Sequence, residues 1–250
     1  MKKLFAAIGF FTRIPVWKIT DIPSDKYKRV VDLWPAAGWI TGGLTALTLW
    51  GALQVLPPFA AVVTAFAVRL LLTGALHEDG LADFIDGTGG GSTRERILEI
   101  MKDSRIGSYG VIGLVIYFML LVSCVASLPP AISPLAVLAA DPWSKFCGSF
   151  IINTLPYARK QEEAKNKLIY DRMSAPAFVI CLLSGLLPAI MLPEAYRLAL
   201  LLPMAVAAAM ILYMRYKIGG YTGDCCGATA LLCELAFYFS SAVIAHAVIK

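Results

Sequence analysis

Charged residues are scarce in this sequence. Only 16% of its 250 residues are charged, whereas 58% are hydrophobic, and the mean hydropathy is +0.71. So few charged side chains cannot cover the surface of a soluble globular domain. The composition excludes a soluble protein and predicts an all-α, polytopic membrane protein.

Histidine and metal-spaced cysteine are scarce as well. The chain has two histidines and six cysteines, and no two cysteines have the CxxC spacing of a zinc site or suggest a disulfide framework. The cysteines are therefore interpreted as small apolar side chains. They are the isolated Cys124, Cys147, Cys181 and Cys233 and the adjacent Cys225 and Cys226.

Long apolar runs fill most of the chain. A helix needs about 20 apolar residues to cross a bilayer, and seven stretches come close to that length. They are 33–56, 59–76, 107–128, 132–155, 176–193, 198–213 and 228–248. We expect one integral-membrane domain, 1–250, in which residues 1–32 form an N-terminal arm. Its first residues, MKKLFAAIGFF, predict an interfacial helix, since Arg13 interrupts the run and no cleavage site follows.

Basic residues gather on alternate connections between these stretches. Of the 22 Lys and Arg, seven precede Leu33, four lie in 94–105, five in 159–172, and two are Arg215 and Lys217. The short turns between the other stretches hold one basic residue. By the positive-inside rule, the N-terminus and the long loops are expected on the cytoplasmic side of the membrane.

The acidic stretch HEDGLADFIDG, residues 77–87, follows the second apolar run. In a helix, Asp79, Asp83 and Asp86 lie at i, i+4 and i+7 and share one face. Clustered carboxylates favour a hard divalent cation, so Mg²⁺ or Mn²⁺ is expected there. The alternative is a solvated acidic end to a membrane helix. Glu78 points away from that face and is a supporting residue, and His77 is interpreted as a packing or hydrogen-bonding residue rather than a metal ligand.

Two other motifs combine glycines with polar side chains. The segment KDSRIG brings Lys102, Asp103, Ser104 and Arg105 together, which suits phosphate oxygens; membrane anchoring explains its cations but not Asp103. A short helix capped by Ser92 or Thr93 precedes it. The segment GGYTGDCCGA places glycines, Thr222 and Asp224 at the start of the last helix. It predicts either an anion site or a simple turn.

Three isolated charges have two interpretations each. Asp141 and Lys145 lie four residues apart within an apolar run, so Lys145 is either in a structural ion pair or in contact with phosphate. Arg13 is either a lipid anchor or a substrate contact. Glu234 is either a buried partner for a basic residue or part of a polar cavity.

Taken in order, these motifs resemble the cobalamin synthase family. The resemblance rests on FFTRIPV, LWPAAGWITGG, HEDGLADFIDG, RILEIMKDSRIGSYG, LPYAR and GGYTGDCCGA. It implies a multi-pass membrane enzyme that joins adenosylcobinamide-GDP to α-ribazole or its 5′-phosphate, releases GMP and needs Mg²⁺. The chain departs from the family pattern at Lys145, where arginine is more usual, and at 160–163.

The resemblance also suggests roles for the candidate residues. Asp79, Asp83 and Asp86 would hold Mg²⁺, and Asp86 or Asp103 would accept the hydroxyl proton. The remaining candidates would contact substrate: Arg13, Glu78, Lys102, Ser104, Arg105, Lys145, Arg159, Thr222 and Asp224. The substrates and the lipid bilayer are the expected partners, nucleic acid is not, and the oligomeric state is open, a homo-oligomer included.

Two other functions remain as alternatives. A phospholipid-type CDP-alcohol phosphotransferase would need a DGxxAR signature, but Phe84 and Ile85 follow Asp83. An ion or metal transporter would carry acidic residues in several apolar runs and repeated halves. Only Asp141 and Glu234 lie inside the runs, and no convincing repeat is present.

Overall fold

The computed structural model describes residues 1–159 and 169–249, so the departing segment 160–163 lies outside the described residues. The described secondary structure is helical apart from one isolated β-bridge between Tyr157 and Tyr221. The α-helices are α1 (Lys2–Phe11), α2 (Trp34–Ala52), α3 (Pro58–Thr73), α4 (Leu76–Gly90), α5 (Arg94–Ile100), α6 (Ser108–Ala126), α7 (Ser133–Thr154), α8 (Ala175–Leu186), α9 (Glu194–Arg197), α10 (Leu201–Ile218) and α11 (Gly223–Ile249). Short 3₁₀ segments cover Val16–Lys18, Ser24–Leu33, Leu187–Met191 and Leu198–Leu200.

The structure confirms a polytopic helical membrane protein but not seven full spans. In the described chain, four helices are long and apolar enough to cross a bilayer: α6, α7, the continuous Glu194–Ile218 and α11. A fifth span requires α3 and α4 to count as one bent unit. The helix α2 has 19 residues, but its threonines and glycines lower its hydropathy, and α8 with its 3₁₀ extension has only 17 apolar residues, Ala175–Met191.

Helix α7 forms the centre of the bundle and is buried over most of its length. Small residues of α2 let the two helices touch: a Cβ on Gly38 would lie 2.9 Å from Asp141 Oδ1, and one on Gly42 would lie 2.8 Å from Asp141 Cβ. The glycines of α2 therefore permit its close approach to α7. Asp141 pairs with Lys145 and accepts a 3.0 Å hydrogen bond from Thr41 Oγ1.

A sharp bend separates α3 from the acidic helix α4. Gly74 and Ala75 both adopt left-handed backbone conformations, with φ of 68° and 57°, and the two helix axes differ by 92°. The second apolar run was expected to continue to Leu76, but α3 ends at Thr73. The prediction that the acidic stretch is helical is confirmed.

The N-terminal arm packs against the start of α2. Its first helix, α1, buries Ala6, Ala7 and Phe11, and the Phe11 ring stacks on Trp34 with centroids 5.1 Å apart. The expected helix at the N-terminus is confirmed, whereas its position at the membrane interface stays a prediction. The arm thereby places an aromatic side chain beside α4.

Candidate functional site

Two glycines bring the acidic helix α4 against the start of α11. A Cβ on Gly80 would lie 3.1 Å from Asp224 Cα, and a Cβ on Gly227 would lie 3.3 Å from His77 Cα. Such distances leave little space for larger side chains. The acidic stretch and the GGYTGD motif, which are far apart in sequence, therefore form one site.

A cavity of about 160 Å³ opens between α1, α4, the start of α11 and the segment after α7. Its charged lining residues are Asp79, Asp224 and Arg159, and we call it the reaction cavity. Aromatic rings supply much of the remaining wall: Phe10, Phe11, Trp34, Tyr157 and Tyr170. A space with acids on one side, a guanidinium on another and flat apolar walls is suited to an anionic, partly aromatic substrate.

His77 lies in the wall of this cavity and packs between rings. Its imidazole is buried, with ring centroids 6.0 Å from Phe11 and 5.5 Å from Trp34. The interpretation of His77 as a packing residue is confirmed.

The three aspartates of α4 have unequal surroundings. Asp79 is exposed at the reaction cavity, Asp83 is half-buried one turn further, and Asp86 is only 6% exposed. Both oxygens of Asp86 accept backbone hydrogen bonds from the start of α6, at 2.7 Å from the Gly107 N–H and 2.8 Å from the Gly110 N–H. Asp86 thus provides hydrogen-bond acceptors for backbone N–H groups at the start of α6. It does not line the reaction cavity.

The carboxylates fit a divalent ion held jointly with substrate better than an all-protein cage. Among the described residues, no group of three or more His, Cys, Asp or Glu side chains is arranged to hold a metal ion. Mg²⁺ is commonly held by one or two carboxylates and substrate phosphates. Asp79 and Asp224, at one cavity, supply such a pair.

The KDSR segment lies apart from the reaction cavity. Arg105 Nη2 donates to Asp103 Oδ2 at 2.8 Å, and Arg105 Nε and its backbone N–H donate to Oδ1 at 3.1 and 3.0 Å. These hydrogen bonds lower the pKa of the Asp103 carboxyl to about 2. Ser104 is exposed, and Lys102 lines a neighbouring groove that Arg159 also borders. The basic residues predicted to bind phosphate therefore do not share one site: Arg159 lines the reaction cavity, whereas Lys102 and Arg105 do not.

Two other predicted substrate contacts lie at the edge of the site. The exposed Arg13 covers the turn before α4, where a Cβ on Gly74 would lie 2.1 Å from Arg13 Nε. Thr222 is buried and its hydroxyl lies 3.3 Å from Asp224 Oδ2.

Glu78 and Lys145 lie behind the reaction cavity, in buried ion pairs. Arg69 Nη2 is 3.3 Å from Glu78 Oε1, and its other terminal nitrogen contacts Glu234 Oε1. Lys145 pairs with Asp141. The structure therefore gives Glu234 a basic partner, Arg69, which is buried in the protein interior.

Sequence reasoning missed the aromatic wall of the cavity. Phe11 belongs to the motif FFTRIPV and Tyr157 to LPYAR. In both motifs only the arginine was considered as a candidate, so the aromatic residues were passed over. Trp34 also belongs to a quoted motif, LWPAAGWITGG, whereas Tyr170 belongs to none. The proximity of these rings depends on how α1 and the segment after α7 fold back.

Comparison with known proteins assigns the chain to a family. Residues 3–242 match the model of the cobalamin-5-phosphate synthase family. The chain is 36% identical over 244 residues to an adenosylcobinamide-GDP ribazoletransferase of Shewanella oneidensis, covering 96% of this chain and 93% of the relative. It is 38% identical over 236 residues to a protein of the same name from Shewanella sp. strain W3-18-1, covering 93% and 90%. No solved structure matches. The chain belongs to the cobalamin-5-phosphate synthase family.

Proposed function

We infer that this protein is an adenosylcobinamide-GDP ribazoletransferase of cobalamin biosynthesis. The observation that carries the inference is the family match over residues 3–242, which includes every motif at the reaction cavity. Asp79, Asp224 and Arg159 surround that cavity, a constellation suited to a diphosphate substrate. The enzyme joins adenosylcobinamide-GDP to α-ribazole or to its 5′-phosphate and releases GMP.

The reaction is a phosphoryl transfer. A ribose hydroxyl oxygen of the ribazole attacks the phosphorus next to cobinamide, the bond from that phosphorus to the GMP oxygen breaks, and the hydroxyl loses its proton. Catalysis of this class rests mainly on positioning and charge neutralisation. Arg159 is placed to bind phosphate oxygens, while Phe11 and Trp34 exclude water from one side of the cavity.

Of the two base candidates, Asp103 is the weaker. A carboxyl with a pKa of about 2 holds a proton poorly near neutral pH. Asp86 is therefore the remaining candidate from the sequence, and its bonds to Gly107 and Gly110 give it a competing structural role.

Magnesium is part of the proposal. Asp79 and Asp83 on α4, with Asp224 on α11, are the carboxylates that would hold it. The ion would neutralise charge on the diphosphate during transfer. The support for this is the pair of carboxylates, Asp79 and Asp224, that line one cavity together with a guanidinium.

We place the reaction cavity at the cytoplasmic face of the inner membrane. The support is the alternation of basic and nearly uncharged connections along the chain. The motifs that build the cavity lie at the basic ends of the apolar runs, where soluble, bulky substrates can arrive.

The first test is GMP release by the purified protein in lipid. The reaction contains adenosylcobinamide-GDP and either α-ribazole or its 5′-phosphate, with Mg²⁺ or with EDTA. We expect Mg²⁺-dependent GMP release and a corrinoid product whose mass equals both fragments joined. Asp79→Asn should lower turnover by at least about 100-fold, because it removes one of the two cavity carboxylates that would hold Mg²⁺.

Asp25→Asn is the matched control, since Asp25 is exposed and its ion-pair partner is the neighbouring Lys26. It should retain the parent rate. Release that continues in EDTA would overturn the metal proposal alone. A folded, lipid-embedded protein that forms no corrinoid product would contradict the transferase assignment and favour the transporter alternative.

A further inference from the structure

A second groove adjoins the reaction cavity, and Tyr157 and Arg159 line both. This groove has a volume of about 540 Å³ and runs along α5, so we call it the α5 groove. Its polar side chains from α5 and the turn after it include Glu95 and Lys102. A substrate held at Arg159 can therefore occupy both spaces at once.

Hydrogen bonds fix the walls of the α5 groove. Arg94 Nη2 donates to the Ala158 carbonyl at 2.8 Å, and Arg94 Nε donates to the Ile218 carbonyl at 2.7 Å. Arg159 Nη2 donates to the Leu98 carbonyl at 2.8 Å. These three bonds tie α5 to the segment after α7 and to the end of α10, so the groove is held open between fixed elements.

The charges of the groove have a definite arrangement along α5. Glu95 and Leu98 lie at i and i+3 on one face of α5, Lys102 lines the same groove from the turn after the helix, and Arg159 reaches the backbone at Leu98. Glu99 also borders the groove, but its carboxylate accepts a 2.7 Å hydrogen bond from Arg96. Of the two α5 carboxylates, Glu95 is therefore the one without an ion pair within the helix. The cations of Lys102 and Arg159 line the same groove.

A guanine nucleotide matches this arrangement. Guanine presents two neighbouring N–H donors, at N1 and N2, on one edge, and a carboxylate offers two acceptor oxygens. The phosphates of the same nucleotide require cations such as arginine and lysine. The other parts of the substrate pair lack this combination of a paired-donor edge and a nearby phosphate.

We propose that the α5 groove binds the guanine nucleotide of the substrate and of the GMP product, and that Glu95 determines the specificity for guanine. The Glu95 carboxylate accepts hydrogen bonds from N1–H and N2–H. Arg159 and Lys102 hold the phosphate, with Arg159 at the junction with the reaction cavity. This inference rests on the proposed function, because it takes the guanine nucleotide from that reaction.

The test compares binding of GMP, IMP and AMP to the full-length protein in lipid nanodiscs by calorimetry. IMP lacks only the N2 amino group, and AMP presents a different edge. We expect the parent protein to prefer GMP over IMP by about ten- to a hundredfold, the range for a hydrogen bond to a charged group. Glu95→Gln should weaken GMP binding most and IMP binding less, because IMP keeps only the N1–H donor, so the preference for GMP should fall.

Glu194→Gln is the control for surface charge, since Glu194 lines neither the reaction cavity nor the α5 groove. It should keep the parent preference. Equal affinity for GMP and IMP in the parent, or an unchanged preference in Glu95→Gln, would overturn the proposal. Glu95-dependent GMP binding without corrinoid formation would support the groove and reject the transferase. Corrinoid formation by a protein that binds GMP and IMP equally would support the transferase and reject the groove proposal.

Discussion

At the scale of single residues, the aspartates of α4 have different roles although their spacing is regular. A helical repeat predicts that Asp79, Asp83 and Asp86 share a face, but it does not predict what each carboxylate contacts. Asp79 lines the reaction cavity, whereas both oxygens of Asp86 accept hydrogen bonds from the first turn of α6. A regular spacing therefore includes one carboxylate that lines the cavity and another that caps a helix.

Asp86→Asn tests that distinction. The asparagine keeps the shape of the side chain but loses the charge and one acceptor, so we expect the free energy of unfolding to fall by about 1–3 kcal/mol. Asp79→Asn, at an exposed position, should change it by less than about 0.5 kcal/mol while removing activity. Unfolding in mixed micelles provides the measurement. An Asp86→Asn protein of parent stability that forms no product would show that Asp86 acts in the reaction instead.

At the scale of helices, one buried guanidinium joins three elements. Arg69 of α3 contacts Glu78 of α4 and Glu234 of α11, and Tyr238 donates a 2.7 Å hydrogen bond to Glu234. Glu78 is the immediate neighbour of Asp79. The cluster therefore fixes the two helices that carry the cavity carboxylates.

Arg69→Met should destabilise the protein strongly. Removing one partner leaves buried carboxylates uncompensated, which costs about 3–5 kcal/mol. Lys26→Met breaks an ion pair at the surface and should cost at most about 1 kcal/mol. Denaturant titration of both variants in the same micelles tests the expected difference. Equal losses would mean that water or lipid headgroups already solvate Arg69.

At the scale of the whole molecule, the sequence predicted the fold class, but not the path of the chain or the separation of the KDSR segment from the reaction cavity. Hydropathy identified the apolar helices because bilayer thickness sets their length. The 92° bend at Gly74 and Ala75 was missed, because the glycine there also fits a simple helix end. The nearness of Tyr170 to Asp79 was missed too, since it depends on folding between distant segments.

The orientation in the membrane is open to a labelling test. All six native cysteines are buried, so a membrane-impermeant maleimide should react mainly with introduced cysteines. Asp25 and Ala131 are exposed and lie on connections with opposite expected sides. We expect Ala131→Cys to react in intact cells and Asp25→Cys only in inverted vesicles. The opposite pattern would place the reaction cavity on the outer face.

The contact between Arg69 and Glu234 has a consequence for biogenesis. The two residues are 165 positions apart, and α11 leaves the ribosome after the other described helices. At bacterial synthesis rates the interval is roughly ten to thirty seconds. During that time α3 carries a cation that costs about 3 kcal/mol at the centre of a lipid-exposed helix. Until Glu234 arrives, Glu78, which follows Arg69 by nine residues, is the carboxylate of this cluster that can pair with the cation, so the contact between α3 and α4 can form before the contact with α11.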